Sequence, residues 1–184
     1  QMCIRDRIES ARRYVLLEMY LIESGAVADR FVDALVQAAQ RGVQVRVLLD
    51  DFGGRGLGWK DRRRLSEGGA EVVFYNALGW RKWLRNLFRN HRKLLVVDGE
   101  AAFVGGAGLT DAFDPRFEPD TRWRETMVDI RGPVVADWRD QFAVTWHDCT
   151  HRPLDLRESV SPSSPGGQRG RIVASEGLHR AEIT

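Results

Sequence analysis

The stretch that decides the fold is residues 90–111, Asn-His-Arg-Lys-Leu-Leu-Val-Val-Asp-Gly-Glu-Ala-Ala-Phe-Val-Gly-Gly-Ala-Gly-Leu-Thr-Asp. If residues 91–97 form a strand, successive side chains alternate between its two faces, so His91 and Lys93 point the same way. The pair Asp98-Gly99 is typical of a tight hairpin turn. The stretch therefore predicts a strand, a turn and a second strand, with a histidine and a lysine side by side where the first strand begins.

Glycines in the same stretch suit an anionic ligand. Gly105, Gly106 and Gly108 leave backbone amides unshielded by side chains, which allows the close approach of an anionic oxygen. Asp98 is an odd number of residues from His91 and faces away from it in a regular strand. We expect the Asp98 carboxylate to orient the backbone more than to contact substrate. A histidine, a lysine and open amides together indicate phosphoryl chemistry.

These residues carry a family resemblance. The pattern His91-x-Lys93-(x)4-Asp98, followed by Gly105-Gly106, resembles the catalytic signature of the phospholipase D superfamily. One position departs from it, because the family commonly has Asn where this chain has Gly108. Either a backbone amide substitutes for the missing side chain there, or this part of the site binds phosphate less well.

The flanking sequence narrows the resemblance. Residues 41–50 and 132–137 are similar to bacterial cardiolipin synthases, and the resemblance covers residues 13–150. Cardiolipin synthases carry two His-x-Lys motifs in two homologous halves, whereas this chain has one such motif. The resemblance therefore implies that the chain corresponds to one catalytic half.

The resemblance also implies a mechanism, a two-step transfer through a phosphohistidine. His91 would attack a phosphodiester phosphorus, and Lys93 with the glycine amides would stabilise the charged oxygens. Glu125 would lie against the imidazole, fixing the tautomer that leaves Nε2 free to attack; an exposed glutamate at a strand edge is the alternative. A second histidine must come from elsewhere to protonate the leaving alkoxide. Such a scheme requires no cofactor, and the sequence offers no convincing metal cluster.

The composition fits one globular domain. A chain of 184 residues with 43% hydrophobic and 29% charged residues is long enough for one well-packed domain and too short for two. The net charge is only +2, so any preference for phosphate must come from local clustering. The sequence shows no apolar run long enough to span a bilayer and no secretory signal. Residues 1–12 have no apolar period and are interpreted as a non-native or disordered lead.

The order of patterns along the chain predicts an α/β fold. Strand-forming residues at 13–22 and 43–49 flank a helical repeat of apolar residues that ends at Gly42. Such a unit is expected to cross over right-handed and to pair its strands in parallel. Further elements are expected at 60–67 (helix), 70–75 and 123–130 (strands) and after Pro133 (helix). We expect a mixed, largely parallel sheet flanked by helices on both faces.

Two features beyond the motif are candidate sites. Asp50 and Asp51 end the second strand, where a carboxylate pair would hold a metal or act as acid and base, although Asp-Phe-Gly-Gly is also a normal strand exit and that interpretation is favoured. Residues 80–90 are basic and aromatic without an acidic residue. They would meet anionic headgroups or a nucleic-acid backbone, or else form an ordinary packed helix. The candidate contact residues are Trp80, Arg81, Trp83, Arg85 and Arg89.

The end of the sequence has a different composition. Residues 159–170 are rich in Ser, Pro and Gly, which is typical of a linker, and we interpret residues 151–170 as that linker. Residues 171–184 begin another apolar strand. We interpret 13–150 as a phospholipase D-like catalytic domain and 171–184 as the truncated start of a second homologous half.

The resemblance implies a phosphatidyltransferase of the cardiolipin synthase type, acting on phosphatidylglycerol at the cytoplasmic face of a bacterial cytoplasmic membrane. Its partners would be the anionic phospholipid, the membrane surface, and a missing C-terminal half or a second subunit that completes the site. Two alternatives stay open. One is a phospholipase D-type nuclease or phosphodiesterase in which two chains pair, and the other is an inactive membrane- or nucleic-acid-binding module.

Overall fold

A six-stranded sheet organises the part of the chain that the computed structural model describes, which is residues 2–77, 89–114, 116, 125–156 and 172. The strands are β1 (Tyr14–Met19), β2 (Gln44–Asp50), β3 (Glu71–Tyr75), β4 (Lys93–Val97), β5 (Ala101–Gly105) and β6 (Met127–Arg131). The helices are α1 (Met2–Glu9), α2 (Ala26–Gln40), α3 (Trp59–Glu67) and α4 (Val134–Thr150). Short 3-10 turns, Gly53–Gly56 and Asp111–Phe113, follow β2 and β5.

The helix between the first two strands shows how local sequence sets an element. Apolar residues at helical spacing, among them Val27 and Phe31, bury one face of α2. Its N-terminus is capped from a distance, because the Asp111 carboxylate accepts the Ala26 and Val27 N–H groups at 3.0 and 2.7 Å. The helix ends before Gly42, whose φ of 87° takes the chain out of the helical region.

The sheet is mixed, in the order β3-β2-β1-β4-β5-β6. Strands β1, β2 and β3 pair in parallel, and the pairs β1–β4, β4–β5 and β5–β6 are antiparallel. The expected mixed sheet is confirmed, but among the described strands it is not largely parallel, since three of the five neighbouring pairs are antiparallel. The reason lies in the connections: β1 to β3 are joined through helices, whereas Asp98 (φ 54°) and Gly99 (φ 69°) turn β4 directly into β5.

Each face of the sheet has its own core. Alternate residues of β1, Val15 and Leu17, lie in a cluster with residues of α1, α2 and α3. Their neighbours Tyr14 and Leu16 lie in a second cluster with α4, whose Val135, Phe142 and Trp146 are buried along one face. Helices on both faces of the sheet, and the apolar stripe predicted after Pro133, are therefore confirmed.

The first residues of the chain belong to the fold. Residues 2–9 form α1, Ile8 is completely buried, and the Arg41 guanidinium donates to the carbonyl oxygens of Ile8 and Glu9 at 3.2 and 2.8 Å. The structure thus differs from the expectation of a disordered lead. The eight residues of α1 present too few apolar side chains for a period to be read, and the burial of Ile8 with Ala11 nonetheless fixes the helix.

The described part of the predicted linker packs on the domain. Leu154 and Leu156 contact the α4 cluster, and the Gln44 side-chain amide donates to the Asp155 carbonyl oxygen at 3.2 Å. Apart from Ile172, residues 157–184 lie outside the described residues, and with them most of the predicted linker and the predicted start of a second half.

One edge of the sheet collects the ends that matter for function. Strands β1, β2, β3 and β5 end there, and β4 and β6 begin there, as their pairing directions require. Between β1 and β4 the strand order changes direction, which is where ligands of open α/β sheets bind. The His91–Lys93 pair lies at this edge, which we call the site edge.

Candidate active site

His91 lies on a loop and not in a strand. Strand β4 begins at Lys93, so the expected strand over 91–97 is two residues shorter than predicted. The His91 side chain is exposed, and its ring stacks on Tyr20, the residue after β1, with centroids 3.9 Å apart and planes inclined by 21°. An imidazole with one face on a phenol ring keeps its edge nitrogens open to solvent.

Lys93 shares the same aromatic platform. Its Nζ lies 5.5 Å from the centroid of the Tyr20 ring and donates to the His91 carbonyl oxygen at 3.2 Å. Partial burial lowers the pKa of the Lys93 ammonium, and the Glu125 carboxylate raises it by less. A histidine and a cation thus stand beside one another over Tyr20, as the alternation pattern predicts.

Glu125 lies against Gly106, near enough to act on Lys93. A Cβ built on Gly106 would come within 1.9 Å of the Glu125 Oε2, so the carboxylate sits directly against the glycine backbone. Its exposed side chain acts electrostatically on Lys93. The sheet thus brings Glu125 into the site, while its expected role against the imidazole Nδ1 stays a prediction.

The predicted phosphate-binding glycines have a steric explanation. A Cβ on Gly105 would lie 2.1 Å from the Thr126 carbonyl oxygen. The close approach of β5 to residues 125–127 therefore requires glycine at position 105. The Gly106 N–H donates to the Thr126 carbonyl oxygen at 3.3 Å and is therefore engaged within the fold. Gly108 is buried, and a Cβ there would meet the Leu21 carbonyl oxygen at 3.0 Å. An asparagine at this position would crowd Leu21.

Asp98 is part of the sequence motif but not of the site. Its carboxylate accepts the backbone N–H groups of Arg12, Arg13 and Tyr14 at 2.8–2.9 Å. Strand β4 separates it from His91, a span of about 16 Å for five residues. The grouping of Asp98 with the catalytic residues is thus corrected, and the expectation that it orients backbone is confirmed.

Of the predicted headgroup contacts, Trp80, Arg81, Trp83 and Arg85 lie outside the described residues. Arg89 turns inward. Its side chain is 9% exposed, Nη1 lies 3.7 Å from the Asp50 Oδ1, and it donates to the Asn76 carbonyl oxygen at 3.2 Å. This placement does not fit a headgroup contact for Arg89, because its guanidinium is used to fix the chain next to the site.

The favoured interpretation of Asp50 as a strand exit is also supported. Its Oδ1 accepts the N–H groups of Phe52 and Gly53 at 2.9 and 3.0 Å, and its Oδ2 accepts the N–H of Asn90 at 3.1 Å. The side chain is completely buried. Within the part of the chain that the structure describes, no group of three or more His, Cys, Asp or Glu side chains is arranged to hold a metal ion.

Three residues at the site were not singled out by the sequence. Tyr20 supports His91, Glu18 is buried beneath the site, and Asn90 hydrogen-bonds to Glu18. A signal for Glu18 exists, because it is an ionisable residue inside the otherwise apolar run of residues 14–19. For Tyr20 the sequence has none, since stacking across β1 and β4 depends on the register of two strands far apart in the chain.

Comparison with protein families gives a match over most of the chain. The family described as "Cardiolipin synthase, PLD-like domain" matches residues 4–146. Cardiolipin synthase A of Pseudomonas aeruginosa is 34% identical over 145 residues, covering 78% of this chain and 30% of the relative. Cardiolipin synthase A of a Pseudomonas putida strain is 36% identical over 158 residues, covering 83% and 32%. The chain thus spans about a third of the length of these relatives.

Solved structures share the architecture. The phospholipase D family member Nuc from Salmonella typhimurium superposes with a TM-score of 0.60 at 18% identity, covering 83% of this chain and 89% of Nuc. Phosphatidylserine synthase of Haemophilus influenzae also gives 0.60 at 18% identity, covering 83% and 37%. At these identities the likeness establishes the fold. With the family match over residues 4–146, the chain belongs to the cardiolipin synthase family of phospholipase D-like domains.

Proposed function

We propose that this chain supplies one half of a phosphatidyltransferase site of the cardiolipin synthase type, with His91 as nucleophile. The observation that carries the proposal is the exposed imidazole held on Tyr20 beside the Lys93 ammonium at the edge where the strand order changes. The two sequence relatives described above are named cardiolipin synthase A, and on that basis we take phosphatidylglycerol as the substrate.

The reaction proceeds in two displacements. His91 Nε2 attacks the phosphorus of phosphatidylglycerol, a P–N bond forms, and the P–O bond to the terminal glycerol breaks. A histidine of a second His-x-Lys motif gives its proton to the departing alkoxide, releasing glycerol. The hydroxyl of another phosphatidylglycerol then attacks, loses its proton to the second histidine and displaces His91. The Lys93 ammonium offsets the negative charge that develops on the phosphoryl oxygens.

The second motif comes from a further half of the protein or from a second subunit. A histidine already bonded to phosphorus cannot also protonate the departing oxygen, so His91 alone does not complete the cycle. Partial burial lowers the pKa of Lys93, and the charge of Glu125 opposes that lowering and so favours the protonated ammonium. We further propose that the Glu125 carboxylate approaches Nδ1 of His91 once substrate is bound and favours the tautomer with a free Nε2.

Exposed aromatic residues at the site edge support a substrate embedded in a membrane. Phe52 follows β2 and is 53% exposed, and Trp59 begins α3 and is 66% exposed. The Arg55 guanidinium lies 5.7 Å from the centroid of the Phe52 ring. Aromatic rings with nearby cations suit an anionic bilayer surface at the cytoplasmic face. None of the helices in the described part of the chain combines the length and the apolar character needed to cross a bilayer.

A chimera tests the transfer. The segment of Pseudomonas aeruginosa cardiolipin synthase A that matches this chain is replaced by residues 4–150, which reach the end of α4 and include His147, and vesicles of phosphatidylglycerol are supplied. Glycerol release and cardiolipin formation are expected, and His91→Ala abolishes both because the nucleophile is gone. His147→Ala, at an exposed histidine of α4 without a lysine two residues on, is the matched control and should keep activity. A folded chimera that releases no glycerol contradicts the proposal.

Assays of the chain on its own distinguish the alternative, a phosphodiesterase built from two copies of the chain, from the phosphatidyltransferase. In that case, cleavage of a nucleic acid or a simple phosphodiester would rise steeply with protein concentration through the range in which the chain dimerises. If the chain binds phosphatidylglycerol vesicles or DNA and neither the chimera nor the dimer turns them over, the chain is a binding module and both enzyme proposals fail.

A further inference from the structure

The reactive loop lacks the support that a strand would give it. His91 and its two neighbours precede β4, so ladder hydrogen bonds of the sheet do not hold the histidine. The Tyr20 N–H donates to the Arg92 carbonyl oxygen at 3.1 Å, which ties the end of the loop to the end of β1. Side chains must supply the remaining constraints on the position of the imidazole.

Asn90, on one side of His91, is held by two buried carboxylates. Its backbone N–H donates to the Asp50 Oδ2 at 3.1 Å, and its side-chain amide donates to the Glu18 Oε1. Its own Oδ1 accepts the Arg92 N–H at 3.1 Å, which closes a turn over His91. Asn90 is buried, so these bonds are shielded from competing water.

Arg92, on the other side of His91, reaches the same carboxylate. Its Nη1 lies 3.6 Å from the Glu18 Oε1 and donates to the Thr145 Oγ1 of α4 at 3.2 Å. Glu18 therefore contacts the residues both before and after the histidine. It does so from the central strand, whose backbone is paired on both sides by β2 and β4.

The burial of Glu18 calls for an explanation beyond stability, whereas the burial of Asp50 is offset by three backbone N–H groups. Glu18 and Asp50 are each 1% exposed, and removing a carboxylate from water costs several kcal/mol unless its partners offset the cost. The Glu18 Oε2 is buried without a hydrogen-bond partner among the described residues. An apolar side chain at position 18 would fill the α4 side of β1 without this cost, but it would offer nothing to Asn90 or Arg92.

We infer that Glu18 and Asp50 act as positioning residues, a pair of buried carboxylates that holds residues 90–92 so that the imidazole of His91 faces the phosphorus. We call the set Glu18, Asp50, Asn90 and Arg92 the carboxylate clamp. The inference rests on the proposed function in so far as His91 is the nucleophile. The clamp contacts neither substrate nor the reacting nitrogen, so its effect reaches chemistry through the placement of His91, where a shift of about 1 Å is enough to cost up to a hundredfold in rate.

A swap of partners tests the clamp. Asn90→Asp places a carboxylate against Glu18 and removes the amide donor, and kcat in the chimera is expected to fall by about ten- to a hundredfold with KM little changed. Glu18→Gln keeps an acceptor for Asn90 but removes the charge facing Arg92, so a smaller loss is expected. The double variant Glu18→Gln/Asn90→Asp reverses the amide and the carboxylate. It should recover activity to the level of Glu18→Gln.

Two further readouts do not depend on turnover. Amide hydrogen exchange at residues 90 and 92 should speed up by about tenfold or more in Asn90→Asp and return toward the wild-type rate in the double variant. The rate at which diethyl pyrocarbonate acylates His91, followed by peptide mass spectrometry, should likewise rise in Asn90→Asp and return toward the wild-type rate in the double variant. Leu65→Ala removes a buried side chain of α3 away from the clamp and is the stability control. It should lower Tm without changing the acylation rate of His91.

The outcomes separate the clamp from the proposed function. Unchanged exchange and acylation in Asn90→Asp, or a double variant no better than Asn90→Asp, overturns the clamp. If Asn90→Asp does not fold, Thr145→Val gives a milder test, since it removes one partner of Arg92 and should raise His91 acylation a few-fold; no change there overturns the clamp as well. If the wild-type chimera is inactive while exchange and acylation respond as expected, the proposed function fails and the clamp stands.

Discussion

Asp98 and Glu18, buried carboxylates near opposite ends of β4, are held in opposite ways. At the end away from the site, the Asp98 carboxylate accepts three backbone N–H groups. These bonds satisfy the carboxylate and fix residues 12–14 against the turn. At the site edge, Glu18 accepts from one amide, faces one guanidinium and keeps an oxygen without a hydrogen-bond partner among the described residues. The first arrangement stabilises the protein. The second costs stability and lies directly beneath the reactive loop, which is typical of functional sites.

Among changes that leave the nucleophile in place, the largest effect on activity is expected at Lys93. Lys93→Ala should lower kcat by about a hundred- to a thousandfold in the chimera, because one charge that stabilises the developing phosphoryl charge is lost. Arg63→Ala, at an exposed residue of α3 paired with Glu67, is the matched loss of a positive charge and should have little effect. A Lys93→Ala variant with wild-type kcat would show that Lys93 does not stabilise the developing phosphoryl charge.

The opposite end of β4 should affect stability without affecting the chemistry. Asp98→Ala leaves the N–H groups of residues 12–14 without their acceptor, and we expect the free energy of unfolding to fall by about 2–4 kcal/mol. The kcat per folded molecule should stay at the wild-type value, because Asp98 is separated from His91 by the length of β4. Urea unfolding and active-site titration measure the two quantities. Asp98→Asn keeps an acceptor oxygen and tolerates positive φ, so its loss should be smaller. A loss of kcat in a folded Asp98→Ala protein would contradict the purely structural role assigned to Asp98.

The pH dependence of stability is a sharper test of Glu18. Burial raises the pKa of its carboxyl, while the Arg92 guanidinium and the Asn90 amide lower it by less. The folded protein therefore binds this proton more tightly than the unfolded chain, so ionisation of Glu18 costs stability as the pH rises from the ordinary carboxyl range through the folded pKa.

Glu18→Gln removes this titration. The unfolding free energy of the variant minus that of the wild type is expected to increase with pH across that window and to level off above it. Urea unfolding between about pH 4 and pH 8 measures this difference. Arg89, Asp50 and Arg92 lie nearby and are unchanged in both proteins. A difference that is constant with pH would mean that the partners of Glu18 fully offset its burial.

The smallest expected effect is the shift of the pH profile caused by removing the charge of Glu125. Its carboxylate raises the pKa of Lys93 against the lowering caused by burial, so Glu125→Gln should lower that pKa further. Transfer activity that needs the ammonium should then fall off at lower pH, with the alkaline limb shifted by less than about one unit because Glu125 is exposed and screened. Glu100→Gln, at an exposed glutamate on the other edge that pairs with Arg13, serves as control. An alkaline limb that moves upward would contradict the sign of this interaction.

The sequence predicts the local elements better than the arrangement of the sheet. Helix α2, the turn at Asp98-Gly99 and the stripe of α4 follow from apolar spacing and turn chemistry, which are local properties. Whether two strands pair in parallel or antiparallel depends on whether a helix or a short turn connects them. The apolar spacing within one segment does not determine which strands become neighbours. Helix α1 is missed because Ile4 and Ile8, which pack on the core about one turn apart, form too short a pattern to indicate a helix.

In the candidate site, too, the sequence predicts contacts between residues close in the chain and misses contacts between distant ones. The sequence places His91 beside Lys93 because they are two residues apart, and it assigns Asp98 a backbone role by the same alternation. Tyr20 and Glu18 at the end of β1 meet Asn90 on the loop before β4 through the register of these two strands, so none of the three is visible as a motif. Gly106 illustrates a partial success: the glycine is required, but the Glu125 carboxylate occupies the space that it leaves.

The stack between Tyr20 and His91 also makes the histidine visible to spectroscopy. A phenol ring 3.9 Å away and inclined by 21° shields the carbon-bound protons of the imidazole, so their NMR signals should lie upfield of those of a fully solvated histidine. Movement of the loop away from Tyr20 would return these signals toward the solvated position, while a phosphoryl group on Nε2 would change the nitrogen shift independently. The aromatic platform thus provides an internal reporter that tells a displaced nucleophile from a modified one.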